Sequence, residues 1–211
     1  MIRSIAKHHR DQTAMNVRAI LTNIVSFVTP KMHAIRQKAV IDCVHSLASG
    51  SAATVTSMGR GRGINSNAYE KHNIKRADRL LSNRHLLREQ PLIYGAVCRS
   101  FCTAKHPEIS IDWSDLDECK RHFLLRVVLS FDGRAITLYE EVHPLSTKEK
   151  PTTHKLFLRR LSLLLPASCK PVIVPMQDLK RFGSGKFKAL GWYFVGRARK
   201  PNFYTIDNGA H

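Results

Sequence analysis

Two β-rich runs, FLLRVVLSF at residues 123–131 and RAITLYEEV at residues 134–142, flank the pair Asp132-Gly133. An Asp-Gly pair between such runs is a strong short-range signal for a hairpin, because a tight turn of this type needs positive φ at both central residues. This stretch therefore predicts two antiparallel strands in the second half of the 211-residue chain.

The segments on either side extend the hairpin into a mixed sheet. Residues 108–112 (EISID) alternate as a short strand, residues 171–174 (PVIV) are typical of a buried strand, and residues 192–197 form one more. Between them, residues 153–165 carry apolar side chains at helical spacing. Antiparallel strands followed by a crossover helix and parallel strands are the layout of a ribonuclease-H-like domain.

The first half of the chain has the periodicity of helices. Residues 32–49 form one apolar stripe that stops at Gly50, residues 67–81 form an amphipathic helix with a cationic face, and residues 85–102 form another helix. Residues 53–63 read as a short β-leaning piece and a glycine-punctuated basic loop. The predicted class is α+β, with a disordered extension at 1–15, a helical DNA-binding domain at 16–104 and a partial ribonuclease-H-like domain at 105–211.

The net charge points to a polyanionic partner. The chain carries 34 Lys and Arg against 16 Asp and Glu, a formal charge of +18, and most of the excess lies in the first half. A helix, a short turn and a basic helix are the parts of a helix-turn-helix reader of double-stranded DNA. The alternative is a basic surface that serves only solubility.

Cysteines and hydropathy bear on the compartment. The five cysteines are odd in number and form no CxxC pair, so we expect all of them to be reduced core residues. No apolar run approaches the roughly 20 residues of a membrane span, and the first ten residues are charged where a signal peptide would be apolar. The expected location is the cytoplasm, in association with the nucleoid.

One carboxylate is placed for metal chemistry. Asp112 ends the first predicted strand, and in a mixed sheet of this layout that end lies beside the end of the strand at 171–174. Carboxylates meeting there are suitable Mg²⁺ ligands. Asp115, Asp117 and Glu118 follow as an acidic cluster that would either help to bind the cation or, as we expect, decorate the first turn of a helix. We expect the pair Glu140 and Glu141 to lie on an exposed edge.

Several blocks of the sequence resemble a known family. They are residues 55–60 (VTSMGR), 73–85 (NIKRADRLLSNRH), 111–115 (IDWSD), 136–140 (ITLYE), 143–145 (HPL), 171–174 (PVIV) and 190–192 (LGW). In this order they resemble the DDE transposases of bacterial insertion sequences, and specifically the insertion-sequence-four family. The resemblance covers residues 17–205.

This resemblance implies a function and a set of site residues. It implies cut-and-paste DNA transposition, by hydrolysis and strand transfer at the transposon ends, with Mg²⁺ as cofactor. Asp112 would be the first catalytic carboxylate and a metal ligand. The partner would be double-stranded DNA of the transposon ends, bound by a homodimer in the DNA complex. The cations expected to contact this DNA are Arg60, Arg62, Lys71, Lys75, Arg76, Arg79 and Arg84.

The chain departs from the family at two catalytic positions. The second catalytic Asp matches Met176, whose soft thioether cannot replace a hard oxygen ligand for Mg²⁺, and Asp178 lies two residues further on as a weak substitute. The catalytic Glu of the family lies downstream of His211. We therefore expect a truncated, inactive transposase; the alternative is an enzyme whose active centre is completed by a missing C-terminal region or by Asp178.

Two other functions stay open. One is a non-catalytic DNA-binding remnant that occupies transposon ends as an inhibitor. The other is a basic structural or RNA-binding protein that uses the stretch Gly59-Arg-Gly-Arg-Gly63, which is short for an arginine-glycine tract.

Overall fold

The computed structural model describes residues 16–62, 68–175 and 184–195, and the chain divides into two compact units within these ranges. The division falls between Ile93 and Tyr94. We call the first the helical unit and the second the sheet unit. The extension predicted at 1–15 and the residues Met176 and Asp178 lie outside the described residues.

The helical unit is built from short helices around a small apolar core. α1 begins where the side chain of Asn16 accepts the backbone N–H of Ala19 at 3.0 Å, and Gly50, with φ +96°, follows the end of α2 as the sequence predicts. The core comprises Cys43, Met58, Ala77 and Leu80. The helices are α1 (Val17–Val28), α2 (Ala34–Ala48), α3 (Val55–Arg62), α4 (Glu70–Leu81) and the first part of α5 (Arg84–Phe101).

Helix α3 replaces the predicted β-leaning piece and basic loop, so that prediction is wrong. The glycines that suggested a loop are positions of close packing instead. A Cβ on Gly59 would lie 2.5 Å from Cα of Ile74 in α4, and one on Gly61 would lie 2.0 Å from Oγ of Ser46 in α2. Glycine is needed at position 59 because the backbones of α3 and α4 approach too closely for a Cβ, whereas a Cβ at position 61 would meet the side chains of Ser46 and Ser51.

The sheet unit contains a five-stranded mixed sheet in the order β3-β2-β1-β4-β5. β1 pairs with β2 and β2 with β3 in antiparallel fashion, whereas β1 with β4 and β4 with β5 are parallel. The strands are β1 (Glu108–Asp115), β2 (His122–Phe131), β3 (Arg134–Pro144), β4 (Val172–Pro175) and β5 (Tyr193–Phe194), and the helices are α6 (Pro151–Leu164) and α7 (Ser184–Ala189).

The hairpin of β2 and β3 is confirmed. Its turn residues Asp132 and Gly133 have φ +46° and +71°, as a primed two-residue turn requires. The ladder runs from Phe131↔Arg134 to His122↔Pro144, with one bulge after Val127. The crossover helix is also confirmed as α6, which lies between β3 and β4 in the chain.

The core of the sheet unit lies on one face of the sheet. Ile109, Ile111 and Trp113 alternate inward from β1 and are buried, and Phe157 of α6 stacks on Tyr139 of β3. The second part of α5 belongs to this core through Cys98, and Cys102 directly after the helix belongs to it as well. The packing boundary at Ile93 therefore precedes the change from helices to strands, at which the sequence places its domain limit.

The structure also tests the predictions for the cysteines and for membrane-spanning helices. Cys43, Cys98, Cys102 and Cys169 are free and buried, as expected, but Cys119 is exposed in the turn after β1, so the core assignment is wrong for that residue. None of the helices in the described ranges combines the length and apolar character that a bilayer crossing requires.

Candidate nucleic-acid interface and candidate catalytic edge

Some of the many cations of the helical unit form ion pairs within the described residues, and others do not. Between residues 16 and 93 the chain has twelve Lys and Arg against four acidic residues. Three of those four are paired: Asp42 with Arg18 at 2.5 Å, Glu89 with Arg36 at 2.5 Å and Glu70 with Arg60 at 2.8 Å. These acidic residues thus pair with Arg18, Arg36 and Arg60 among the side chains that the structure describes.

The unpaired cations are exposed and concentrate on α4. Lys71, Lys75, Arg76 and Arg79 are exposed along this helix, and Arg84 is exposed at the start of α5. None of them forms an ion pair in the part of the chain that the structure describes. Helix α4 turns its buried residues Asn73, Ala77 and Leu80 to the core. Its outer surface therefore offers positive charge to an anionic ligand.

Two predicted DNA-binding residues differ from this group. The guanidinium of Arg60 is held by the Glu70 carboxylate, although both side chains are more than half exposed. Arg62 is the last residue of α3, and its side chain lies outside the described residues. The sequence does not distinguish paired from unpaired arginines, because the ion pairs join residues up to 53 positions apart in the chain.

Helix α2 also contributes a basic side chain next to the arginines of α4. A cleft of about 580 Å³ opens between α2 and α4, and we call it the α2–α4 cleft. Lys38 of α2 lines it together with Arg76 and Arg79 of α4. Lys38 was missed from sequence, because it is an ordinary polar position of an amphipathic helix and only the packing of α2 on α4 brings it to these arginines.

In the sheet unit, Asp112 lies where parallel pairing of β1 with β4 ends. The last paired residues are Ile111 and Pro175, so Asp112 is one position past the shared ladder. β1 itself does not end at Asp112 as predicted, but continues to Asp115 because its other edge stays paired with β2 up to Asp115↔Phe123. Asp112 is half-buried and lies on the sheet face opposite Ile111 and Trp113.

The cross-strand neighbours of Asp112 are charged. Asp112 lies opposite Arg126 of β2, and Arg126 lies opposite Glu140 of β3. The guanidinium of Arg126 donates to the Glu140 carboxylate at 2.9 Å. The Glu140 side chain is 32% exposed on the edge strand β3, so the exposed position predicted for it is only partly correct.

Asp115 is the last residue of β1, and Asp117 and Glu118 lie in the turn that follows, so the helix predicted for these three residues is wrong. The carboxylate of Asp117 accepts the backbone N–H groups of Arg121 at 3.1 Å and His122 at 2.8 Å, which lowers the pKa of Asp117. Asp115 lies 3.8 Å from Lys120 and 3.9 Å from Lys148. Asp117 thus closes the connection between β1 and β2.

Glu141 is not on an exposed edge, which corrects the prediction for this residue. Its side chain is 11% exposed, accepts the Tyr139 hydroxyl at 2.5 Å and the Arg160 guanidinium at 2.9 Å, and lies 3.0 Å from Nε2 of His143 without hydrogen-bond geometry. The pKa of Tyr139 is raised by burial and by this carboxylate. Alternation along β3 turns Glu141 inward and Glu140 outward.

The described residues do not assemble a metal centre around Asp112. Within these ranges, no three His, Cys, Asp or Glu side chains come together as a ligand group. The cross-strand partner of Asp112 is a cation, which disfavours a second cation at that point of the sheet.

Comparison with models of known families, with curated proteins and with solved structures finds no match to this chain.

Proposed function

We propose that this chain is a transposase-type protein whose helical unit binds double-stranded DNA at the ends of a transposable element. The observation that carries the proposal is the distribution of ion pairs in the helical unit. Three of its four acidic residues are consumed by Arg18, Arg36 and Arg60, and the cations of α4 stay exposed. Free surface cations release counterions from DNA when they bind phosphates, which drives association.

The strand order of the sheet supports a ribonuclease-H-like core. An antiparallel β1-β2-β3 meander, a crossover helix and two added parallel strands in the order β3-β2-β1-β4-β5 fit the layout inferred from sequence. Asp112 then lies within β1 beside the carboxyl end of the adjacent parallel strand β4, at the edge where ligands of open α/β sheets bind. This position supports Asp112 as the first catalytic carboxylate of a family that cleaves and joins DNA.

The Mg²⁺ of that family does not fit the described residues, so we derive no chemical step through it. Among the described residues, no group of three His, Cys, Asp or Glu side chains that could hold a metal ion includes Asp112. This observation favours the second candidate, a non-catalytic DNA-binding protein that occupies element ends and inhibits transposition there. Both candidates share the DNA ligand and the helical unit.

The test uses the DNA on either side of the coding sequence, where the ends of such an element lie. Fluorescence anisotropy with duplexes of about 30 base pairs compares these flanks with shuffled duplexes of the same composition. We expect tighter binding of one flank on each side, and an affinity that falls steeply between about 50 and 200 mM salt. Equal, salt-independent binding of all duplexes would contradict the proposal.

A nicking assay separates the two candidates. A supercoiled plasmid that carries both flanks is incubated with the full chain and Mg²⁺, and with the Asp112→Asn variant. Nicking that the variant loses supports the catalytic transposase. Binding of the flanks without nicking by either protein supports the end-binding inhibitor.

A further inference from the structure

The α2–α4 cleft has walls from two helices of the helical unit. Its volume of about 580 Å³ is within the range of ligand sites. Ala39 and Leu80 supply apolar surface. Its rim is open, since Lys38, Arg76 and Arg79 are exposed and Ile35 is 75% exposed. An open groove of this kind admits a segment of an extended polymer as well as a small anion.

Among the charged side chains that line the α2–α4 cleft, those without an ion pair in the described residues are all positive. It contains one acidic residue, Asp42, and that carboxylate is bound by Arg18. One of its arginines, Arg36, is bound by Glu89, which also raises the pKa of Arg36. Both of these charges are therefore balanced.

Three cations remain, and they come from both walls. Lys38 stands on α2, and Arg76 and Arg79 stand three residues apart on α4, so that the two arginines share a face. None of the three has an ion-pair partner within the described residues. The described lining residues therefore give the cleft a net positive charge.

The basic surface of α4 is therefore divided. Arg76 and Arg79 line the cleft, whereas Lys71 and Lys75, four residues apart, lie on a neighbouring line of the helix and are not among its lining residues. A helix that acted alone as a DNA reader would use either line without help from α2. A cleft ligand would depend on Lys38 as well.

We propose that the α2–α4 cleft holds backbone phosphates of one DNA strand, with Lys38 contacting them from α2 and Arg76 and Arg79 from α4. This inference rests on the proposed function and names the residues that perform it. Guanidinium groups match the geometry of phosphate oxygens and bind them in bidentate fashion. No free carboxylate among the described lining residues opposes them. Phosphate contacts of this kind fix the position of a protein on DNA without reading sequence.

The experiment measures duplex affinity for Lys38→Ala, Arg79→Ala and the double variant, with Arg88→Ala as the control. Arg88 is an exposed cation of α5 outside the cleft, so this control removes one charge from the same unit. We expect each cleft variant to weaken binding about threefold to tenfold, equally for flanking and shuffled duplexes, and to lower the salt slope by about one. The double variant should lose less than the product of the single losses, because the two side chains share a ligand.

The outcomes separate this inference from the proposed function. If the wild-type chain binds flanking DNA but Lys38→Ala binds it as well as Arg88→Ala does, the inference about the cleft is wrong and the proposed DNA binding still stands. Wild-type chain that binds no DNA overturns both. A titration with inorganic phosphate at constant ionic strength tests whether the cleft binds free phosphate instead of DNA. If Lys38→Ala abolishes phosphate binding but leaves the DNA affinity unchanged, the assignment to DNA is wrong.

Discussion

The indole Nε1 of Trp113 donates a hydrogen bond of 3.1 Å to Nε2 of His154, and both side chains are buried. Because Nε2 accepts, the proton of this imidazole resides on Nδ1. The bond joins β1 to α6 at the residue next to Asp112. It therefore helps to fix the part of β1 on which the candidate catalytic carboxylate stands.

We predict that Trp113→Phe lowers the free energy of unfolding by about 2 to 4 kcal/mol, since it removes indole volume and leaves Nε2 of His154 buried without its donor. Urea denaturation followed by circular dichroism measures the change. Trp192→Phe is the matched control: Trp192 is also buried in the sheet unit but has no side-chain hydrogen bond among the described contacts. Equal losses for the two variants would contradict a role for the bond.

Glu141 and Glu140 are adjacent on β3, and we predict that they differ in their contribution to stability. Glu141→Gln removes the charge that holds Tyr139 and Arg160, and should cost about 2 kcal/mol. Glu140→Gln breaks a pair with Arg126 whose partners are 32% and 45% exposed, and should cost less than about 1 kcal/mol. Thermal unfolding of both variants tests this order, and a larger loss for Glu140→Gln would disprove it.

Gly59→Ala should destabilise the helical unit and weaken DNA binding together. The new Cβ would meet the backbone of Ile74, so α3 and α4 must separate, at a cost of about 1 to 3 kcal/mol. Gly185→Ala places its Cβ in open space and should be neutral or slightly stabilising, because alanine favours helix. Thermal melts and duplex anisotropy give both readouts. Unchanged behaviour of Gly59→Ala would mean that the close approach of α3 and α4 is absent.

Asp117 should make stability depend on acid pH. Its pKa is lowered by the backbone N–H of Arg121 and then by His122, so it stabilises the fold above its ordinary pKa of about 3.9 and this contribution is lost as pH falls through the folded value. The difference in melting temperature between the wild type and Asp117→Asn should be largest near about pH 6 and shrink towards about pH 3. A difference that is constant over this range would show that the carboxylate charge plays no part.

The sequence was most informative where a local pattern decides the structure. The hairpin at Asp132-Gly133, the helix at 153–165 and the parallel strand at 171–174 depend on turn chemistry and periodicity, and all three are present. Helix α3 was missed because local rules treat glycine as a helix breaker. Only the long-range packing of Gly59 on Ile74 shows why glycine is tolerated there.

The candidate sites were less accessible from sequence for the same reason. That Arg60 is paired and Arg79 is not follows from where Glu70 lies in the fold. The inward position of Glu141 depends on the register of β3, since one residue of shift would exchange it with Glu140. Lys38 enters the α2–α4 cleft only through the packing of two helices.

The central claim is that the free cations of α4 bind DNA phosphates, and the salt dependence of duplex affinity tests it most directly. We would measure the slope of log affinity against log salt for the full chain and for the variant with Lys71, Lys75, Arg76 and Arg79 all changed to Ala. The account predicts that the slope of the variant falls by about three to four, with a loss of affinity for every duplex. A variant that keeps the wild-type slope and affinity would contradict it.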